Sequence, residues 1–301
     1  MEHELEHITS CIVCGSTNSI DFIKCKDFTV SGLTFNIVQC QECEFKFTSP
    51  RPAVRFLGSF YKSEKYVSHN DSNKGFINKL YQFVKNYTLL QKLKLVLKYN
   101  RKGRLLDYGC GTGSFGFVCK KAGWDFYGVE PDTDAGEVAR NKTGGPIYSS
   151  SQELSKAFPD SKFDAITLWH VLEHIPDVPS WFNFISNHLE KSGTLIIAVP
   201  NCDSYDASIF EAYWAAYDVP RHLWHFTPKT IEKLFLNNGF KLIETRPMIF
   251  DSFYVSLLSN TNKFGRSRPL LSFLQGLLSN LKANKSGLTF SSQIYIFKKS
   301  I

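Results

Sequence analysis

Residues 105–116 read LLDYGCGTGSFG. An apolar run ends in an acid, passes straight into Gly109, Gly111 and Gly113, and then opens a stretch compatible with a helix. Glycines at that spacing allow a tight turn and let a ligand approach the backbone closely. The first N–H groups of the following helix would face that ligand. Such a unit belongs at the carboxyl end of a strand in an open sheet.

The flanking sequence keeps the same rhythm. Strands are expected over 104–109, 124–130, 146–150, 163–169, 194–200, 241–247 and, at the edge, 292–299. Helices are expected over 114–123, 133–141, 178–193 and 228–240, the third closed by Gly193 and the last by Gly239. Alternation of this kind implies a parallel, doubly wound α/β sheet.

Glu130 follows Asp107 by 23 residues and closes the second strand, where a carboxylate can accept hydrogen bonds from a ribose diol. Gly111, Gly113 and Gly116 also satisfy G-x-G-x-x-G, so an NAD-binding oxidoreductase stays open. Against it, Asp107 stands directly before the glycines, where a pyrophosphate would meet a carboxylate. S-adenosylmethionine has no phosphate and carries an ammonium and a sulfonium, which the same carboxylate would favour.

The segment D-Y-G-C-G-T-G resembles motif I of the class I S-adenosylmethionine-dependent methyltransferases, and KFDAITLWHVLEHIPD (162–177) resembles their fourth strand and following loop. The sequence D-V-P-R-H-L-W-H-F-T-P (218–228), before a helix ending in N-G-F, is similar to one branch of that superfamily, which includes sugar C-methyltransferases with an N-terminal zinc ribbon. A similar ribbon precedes the domain of some ribosomal RNA methyltransferases. The resemblance implies a seven-stranded Rossmann-like sheet and methyl transfer from S-adenosylmethionine. It implies cofactor contacts from Asp107, Gly109, Gly111, Gly113 and Glu130, and from Ser151 and Gln152 at a blurred adenine position.

Methyl transfer from a sulfonium has a good leaving group, so much of the work is positioning, and a base is needed only if the acceptor must lose a proton. Trp169 and His170 end the fourth strand and are assigned to the cofactor pocket, Trp169 with an aromatic face that attracts a cation. Candidate bases are His174, His222 and His225, with Tyr217 in the same loop as two of them. Asp218 and Arg221 are candidate substrate ligands, Arg221 for a phosphate or carboxylate. Each of these has a competing reading as a residue that only holds its loop in shape.

Residues 170–174, HVLEH, also fit the H-x-x-E-H zinc pattern. That pattern needs a continuous helix, whereas here a strand precedes it and Pro176 follows. It is read as a pocket wall, with His170 towards the ligand and Glu173–His174 starting the loop's own hydrogen bonds.

The metal is expected elsewhere. Cys11 and Cys14 form one C-x-x-C pair and Cys40 and Cys43 another, with 25 residues between and β-like runs at 22–24 and 35–39. Four thiolates in two knuckles point to a closed, structural zinc ribbon over 1–52. Cys25 has no partner at knuckle spacing.

A Pro-broken linker is expected over 50–56, leading into the basic helices of a helical linker or lid placed at 53–103. Between Asp71 and Asp107 nine positive charges stand with no acid, which accounts for more than the whole net charge of +7. One or two amphipathic helices there form a solvated face or attract an anionic substrate, lipid headgroup or RNA. The methyltransferase domain is placed at 104–301 with an insertion at 248–291. Its amphipathic segment 268–285 is expected to cap the acceptor pocket or pack, with a dimer face or membrane contact as alternatives. No apolar stretch approaches the roughly 20 residues that span a bilayer, and MEHELEHITS has no basic n-region and no apolar h-region, so no secretory signal and a cytoplasmic protein are expected. The acceptor is expected to be a small or carrier-linked anionic metabolite, a sugar nucleotide or phosphorylated glycan precursor first, with RNA as the alternative.

Overall fold

The computed structural model describes residues 4–61, 76–159, 161–286 and 289–300. Lys74 of the basic stretch lies outside them, as do the side chains of Phe76, Lys79 and Leu80. Residues Phe76–Tyr99 of that stretch form one continuous helix, α1, where one or two were expected, and Arg101, Lys102 and Arg104 lie beyond its end.

The main sheet uses β1 (Arg104–Tyr108), β2 (Asp125–Val129), β3 (Ile147–Tyr148), β4 (Phe163–Trp169), β5 (Leu189–Pro200), β6 (Phe240–Pro247) and β7 (Ser292–Lys299). Their order is β6-β7-β5-β4-β1-β2-β3. β1 runs parallel to β2 and β4, and β2 parallel to β3. In the core strands Leu105, Leu106, Ala165, Ile166 and Leu168 are fully buried, as expected where helices cover both sheet faces. This is the doubly wound arrangement read from the sequence.

Helices between the strands start at local signals. α2 (Ser114–Lys121) opens directly after Gly113, and α3 (Thr133–Thr143) is capped by Asp132, which accepts from the N–H of Ala135. α4 (Ser151–Ala157) is capped by Ser150, which accepts from Glu153. α5 (Val178–His188) ends five residues before the expected stop at Gly193. Lys299 Nζ donates to the carbonyls of Ser186 and Leu189 at 2.8 and 2.6 Å, so a lysine from β7 takes up the orphan carbonyls of the last turn. α6 (Pro228–Asn237) carries a capping box between Thr227 and Thr230.

The chain divides into two compact units: Met1–His69 with Leu172–Val178 and Ala198–Tyr295, and Asn70–Val171 with Pro179–Ile197 and Ile296–Ile301. In the first, a four-stranded sheet contains the ribbon hairpin Ser19–Lys26 and Thr34–Cys40, then Lys46–Thr48, then Trp224–His225. The hairpin strands are longer than the β-like runs read from the sequence. The loop after β5 thus contributes a strand to the ribbon's own sheet, with Trp224 opposite Phe47 and His225 opposite Lys46. Phe45, Phe47, Trp224 and Phe226 cluster there, with ring centroids 5.5–6.4 Å apart. The expected linker at 50–56 is structured: Arg51–Pro52 pairs antiparallel with Leu5–Glu6, and a short helix follows at Val54–Leu57. The 248–291 segment forms α7 (Asp251–Phe264) and α8 (Pro269–Ser286), packed on each other.

Candidate functional site

Three groups of chemistry-bearing residues emerge, one in the second unit and two in the first.

The second unit holds the glycine loop. Gly109, Gly111 and Gly113 all have positive φ, at 75, 52 and 71°. They differ in what lies beside them. A Cβ on Gly109 would meet Val171 at 2.4 Å and one on Gly113 would meet the Ala139 backbone at 2.9 Å, whereas one on Gly111 would meet nothing within 4 Å. Gly109 and Gly113 are therefore required by packing, and Gly111 presents its bare backbone to open space. Gly116, the third glycine of the dinucleotide pattern, lies against the Phe126 ring, 2.2 Å from where its Cβ would stand, so its role is helix-to-strand packing.

Two carboxylates flank the loop. Glu130 Oε2 accepts from the N–H of Gly111 at 2.8 Å, and Oε1 from the N–H of Asp132 at 3.0 Å. It holds the loop while keeping lone pairs for other donors. Asp107 is 2% exposed and accepts from the Thr167 hydroxyl at 2.6 Å. Burial pushes the Asp107 carboxyl up to about 7, against the pull of Thr167 and Lys92. Burial also raises Glu130, although the two backbone N–H groups oppose it. Such surroundings disfavour further negative charge and favour a cation.

At the end of β4, Trp169 stands edge-on to Phe115 with centroids 5.4 Å apart, and Lys92 Nζ lies over the Trp169 ring at 4.3 Å. Nothing along the chain separates Lys92 from the other lysines of α1. His170 follows with φ 59°, a left-handed conformation uncommon outside glycine. Ser151 starts α4 and donates towards Gln152 at 3.2 Å, and it also hydrogen-bonds Tyr108 at the end of β1. The structure thus brings Asp107, the glycines, Glu130, Trp169 and Ser151 to the carboxyl ends of β1, β2 and β4. The donor set fits S-adenosylmethionine: an open glycine backbone, a carboxylate for a diol and a second carboxylate for a cation.

In the first unit the four ribbon cysteines lie together, with one sulfur of each within 4.8 Å of the others. Cys11 and Cys43 sulfurs are 3.5 Å apart, as are those of Cys14 and Cys40. Four sulfurs at about 2.3 Å from one Zn²⁺ would stand roughly 3.8 Å from one another, so the cluster fits that ion. The two knuckles repeat one geometry. The N–H of Cys11 reaches the Ser16 carbonyl and that of Cys40 the Phe45 carbonyl, and Gly15 and Glu44, each with positive φ, donate back to Cys11 and Cys40. Cys25 is buried in a separate apolar cluster with Phe35, Ile37 and Phe60.

The third group gathers around Glu173, His174 and His222, which offer ligand-type atoms within 4.8 Å of one another. His170, the first histidine of the H-x-x-E-H pattern, is not among them. Glu173 and His174 sit in a single 3₁₀ turn, Leu172–His174, so the continuous helix that pattern needs is absent. His174 Nδ1 lies 3.0 Å from the Arg221 carbonyl and 2.9 Å from the Tyr61 hydroxyl. His222 Nδ1 donates to the Ala216 carbonyl at 2.8 Å, and Nε2 stands 4.0 Å from both Glu173 Oε1 and Asp218 Oδ2. The rings meet edge-on at 4.6 Å. Burial, helped by His222, lowers His174 to about 4, so it is neutral at pH 7.

The other loop candidates are placed differently from expectation. Arg221, expected to hold a substrate anion, is 1% exposed and its guanidinium is engaged internally. It donates to both oxygens of Asp218, to Asp27 Oδ1 at 3.1 Å and to the Phe60 carbonyl at 3.0 Å. Asp218 is correspondingly committed to Arg221. The physical reason is Asp27, a buried carboxylate from the ribbon hairpin that requires a cation. A cavity of about 90 Å³ adjoins the pair, lined also by Lys26, Trp214 and Tyr217. Tyr217 is 3% exposed, and burial drives its phenol well above the ordinary range. His225 is fully enclosed, with Nε2 3.1 Å from Thr48 Oγ1, and burial holds it well below the usual histidine range. Both are core residues here. Asp27, Thr48, Phe60 and Tyr61 were missed because their partners stand far along the chain.

Known proteins share sequence and fold with this chain. Ubiquinone biosynthesis O-methyltransferase of Azorhizobium caulinodans is 27% identical over 158 residues, covering 49% of this chain and 62% of that protein. A methyltransferase of Anoxybacillus flavithermus is 26% identical over 151 residues, covering 47% and 71%. The chain thus spans about three-fifths of the length of the ubiquinone-pathway relative. Among solved structures, the Haemonchus contortus phosphoethanolamine N-methyltransferase 2 complex with S-adenosylhomocysteine superposes with TM-score 0.53 at 16% identity, covering 85% of this chain and 63% of that one. Magnesium protoporphyrin IX methyltransferase from Synechocystis gives 0.51 at 16%, covering 82% and 100%. These show a shared fold. A family model described as a methyltransferase domain matches residues 81–245, more than half of the chain, and the chain therefore belongs to the methyltransferase-domain family.

Proposed function

We propose that the protein transfers the methyl group of S-adenosylmethionine to a small or carrier-linked acceptor. The observation that carries this reading is the pair of carboxylates at the glycine loop, Asp107 and Glu130, both raised by burial and standing at the ends of the neighbouring strands β1 and β2. A site so arranged binds a cation with a diol and repels a pyrophosphate. When bound, the cofactor supplies an electrophilic methyl on a positively charged sulfur. Gly111 lets it approach the backbone, Glu130 holds the ribose, and Asp107 opposes the positive charge.

For an acceptor that must lose a proton, His222 Nε2 is the receiving atom, and Glu173 and Asp218 stabilise the imidazolium so formed. His174 orients that ring. The finer expectation of a sugar nucleotide or phosphorylated glycan precursor draws support from the ribbon and from the lysines of α1, and none from Arg221. The four-cysteine ribbon is assigned a structural zinc. The test is calorimetry with S-adenosylmethionine, S-adenosylhomocysteine and NAD, followed by labelled-methyl transfer into fractionated small-molecule and RNA extracts. Binding of NAD without the sulfonium cofactor, or label entering RNA alone, would overturn the respective parts.

A further inference from the structure

The hairpin of α7 and α8 is inside out. In α8 the buried positions are Ser272, Gly276, Ser279 and Ala283, all small and spaced at one helical face. They pack against α7, whose buried positions include Ser252, Ser256, Ser259 and Asn260. A Cβ on Gly276 would stand 2.9 Å from the Phe253 backbone, so the helices approach closely. Polar side chains join them: Asn260 Nδ2 donates to Ser272 Oγ at 2.9 Å and to Gln275 Oε1 at 2.6 Å. Ser279 donates to the buried Asp206 at 2.8 Å, which ties α8 to the rest of its unit.

The opposite face is apolar and exposed. Leu270, Phe273, Leu274, Leu277, Leu278 and Leu281 form one stripe, from 40 to 75% exposed. A helix of a water-soluble protein normally buries such a stripe and exposes its serines. Small residues and polar hydrogen bonds between helices, with leucines outward, are the packing of helices in contact with lipid.

Charge identifies the partner. From residue 252 to the end of the sequence there is no acid and there are seven basic residues. Lys263, Arg266 and Arg268 stand at one end of the stripe and Lys282 and Lys285 at the other. A second copy of the same face would bring like charges together. An anionic bilayer surface satisfies both the leucines and the basic ends, whose long side chains can reach headgroups while the stripe lies among acyl chains. α8, at 18 residues, is about 27 Å long, and no described helix is long and apolar enough to cross a membrane. We infer that the α7–α8 hairpin docks the protein, lying flat, on an anionic lipid surface. The inference stands independently of the methyl-transfer reading.

The test is flotation of the full chain with vesicles of phosphatidylcholine alone and of phosphatidylcholine with phosphatidylglycerol. Binding to the anionic vesicles should exceed binding to the neutral ones by about tenfold or more and weaken with salt. Leu274→Glu/Leu278→Glu, at exposed positions, should remove it, with the melting temperature and S-adenosylmethionine affinity unchanged. Leu236→Glu, at an exposed leucine of α6, should leave it intact. Absence of binding to anionic vesicles at low salt would overturn the inference, as would equal binding by the double variant. A stable dimer in sedimentation velocity that Leu274→Glu/Leu278→Glu converts to monomer would also overturn it, since the face would then belong to a second copy.

Discussion

The hydroxyl of Thr48 donates to the backbone carbonyl of His222 at 2.8 Å, joining the cysteine ribbon to a loop 174 residues further along the chain. The Thr48 N–H meets the Leu223 carbonyl beside it at 3.0 Å. The ribbon is therefore part of the scaffold that positions His222, and disturbing it should reach the proposed base.

Metal analysis should find about one zinc per chain. Cys40→Ser/Cys43→Ser should lose it and should lower the melting temperature, because binding energy at such a site is folding energy. A zinc content unchanged in that variant would remove the ribbon assignment.

Arg221→Met should destabilise the protein by about 3–5 kcal/mol, because it strands Asp27 and Asp218 without their cation. Burial pushes the Asp27 carboxyl up, but the Ser31 N–H and Arg221 outweigh it and hold it below the usual range. A depressed carboxylate adds stability above its unfolded value and loses it as pH falls through the folded one, so acid melts of the wild type should steepen below about pH 4. Asp27→Asn should flatten that limb. Full stability of Arg221→Met in chemical denaturation would contradict the ion-pair role.

Asp107 should give cofactor binding a pH dependence of the opposite origin. Its folded value near 7 lies above the unfolded one, so the free protein loses stability as pH rises from the ordinary carboxylate range through 7. A cationic ligand favours the ionised form, so S-adenosylmethionine should bind more tightly as pH rises through 7, with proton release. Calorimetry in buffers of different ionisation enthalpy measures that release. Asp107→Asn should abolish it and weaken binding roughly ten- to a hundredfold.

Glu130→Ala should weaken cofactor binding about tenfold or more through lost diol contacts and a loosened Gly111 N–H. Equal affinity for S-adenosylmethionine in the variant would refute the ribose role.

Two glycines should separate binding from folding. Gly111→Val forces a β-branched residue to φ 52° and fills the open side of the loop, so binding should vanish while the fold persists. Gly116→Leu would drive a side chain into Phe126 and should lower the melting temperature first. A retained cofactor in Gly111→Val would sink the loop assignment.

The doubly wound sheet, the glycine loop with Asp107 and Glu130, and the two cysteine knuckles are legible along the chain. These are local signals: apolar period, glycines where φ is positive, caps, and thiols two residues apart. The sequence also carried the leucine stripe of α8, but not which face of that helix would be buried. Only the tertiary structure decided that Arg221 closes an ion pair with Asp27, that His225 lies in a strand beside Lys46, and that Lys92 stands over Trp169. Each depends on pairing between segments far apart in the chain. The spacing of the loop 217–228 looked the same whether its polar groups faced a ligand or a buried carboxylate. Burial settled the matter for Arg221, because an enclosed Asp27 has to be matched by a cation, and the nearest one in space is not near in sequence.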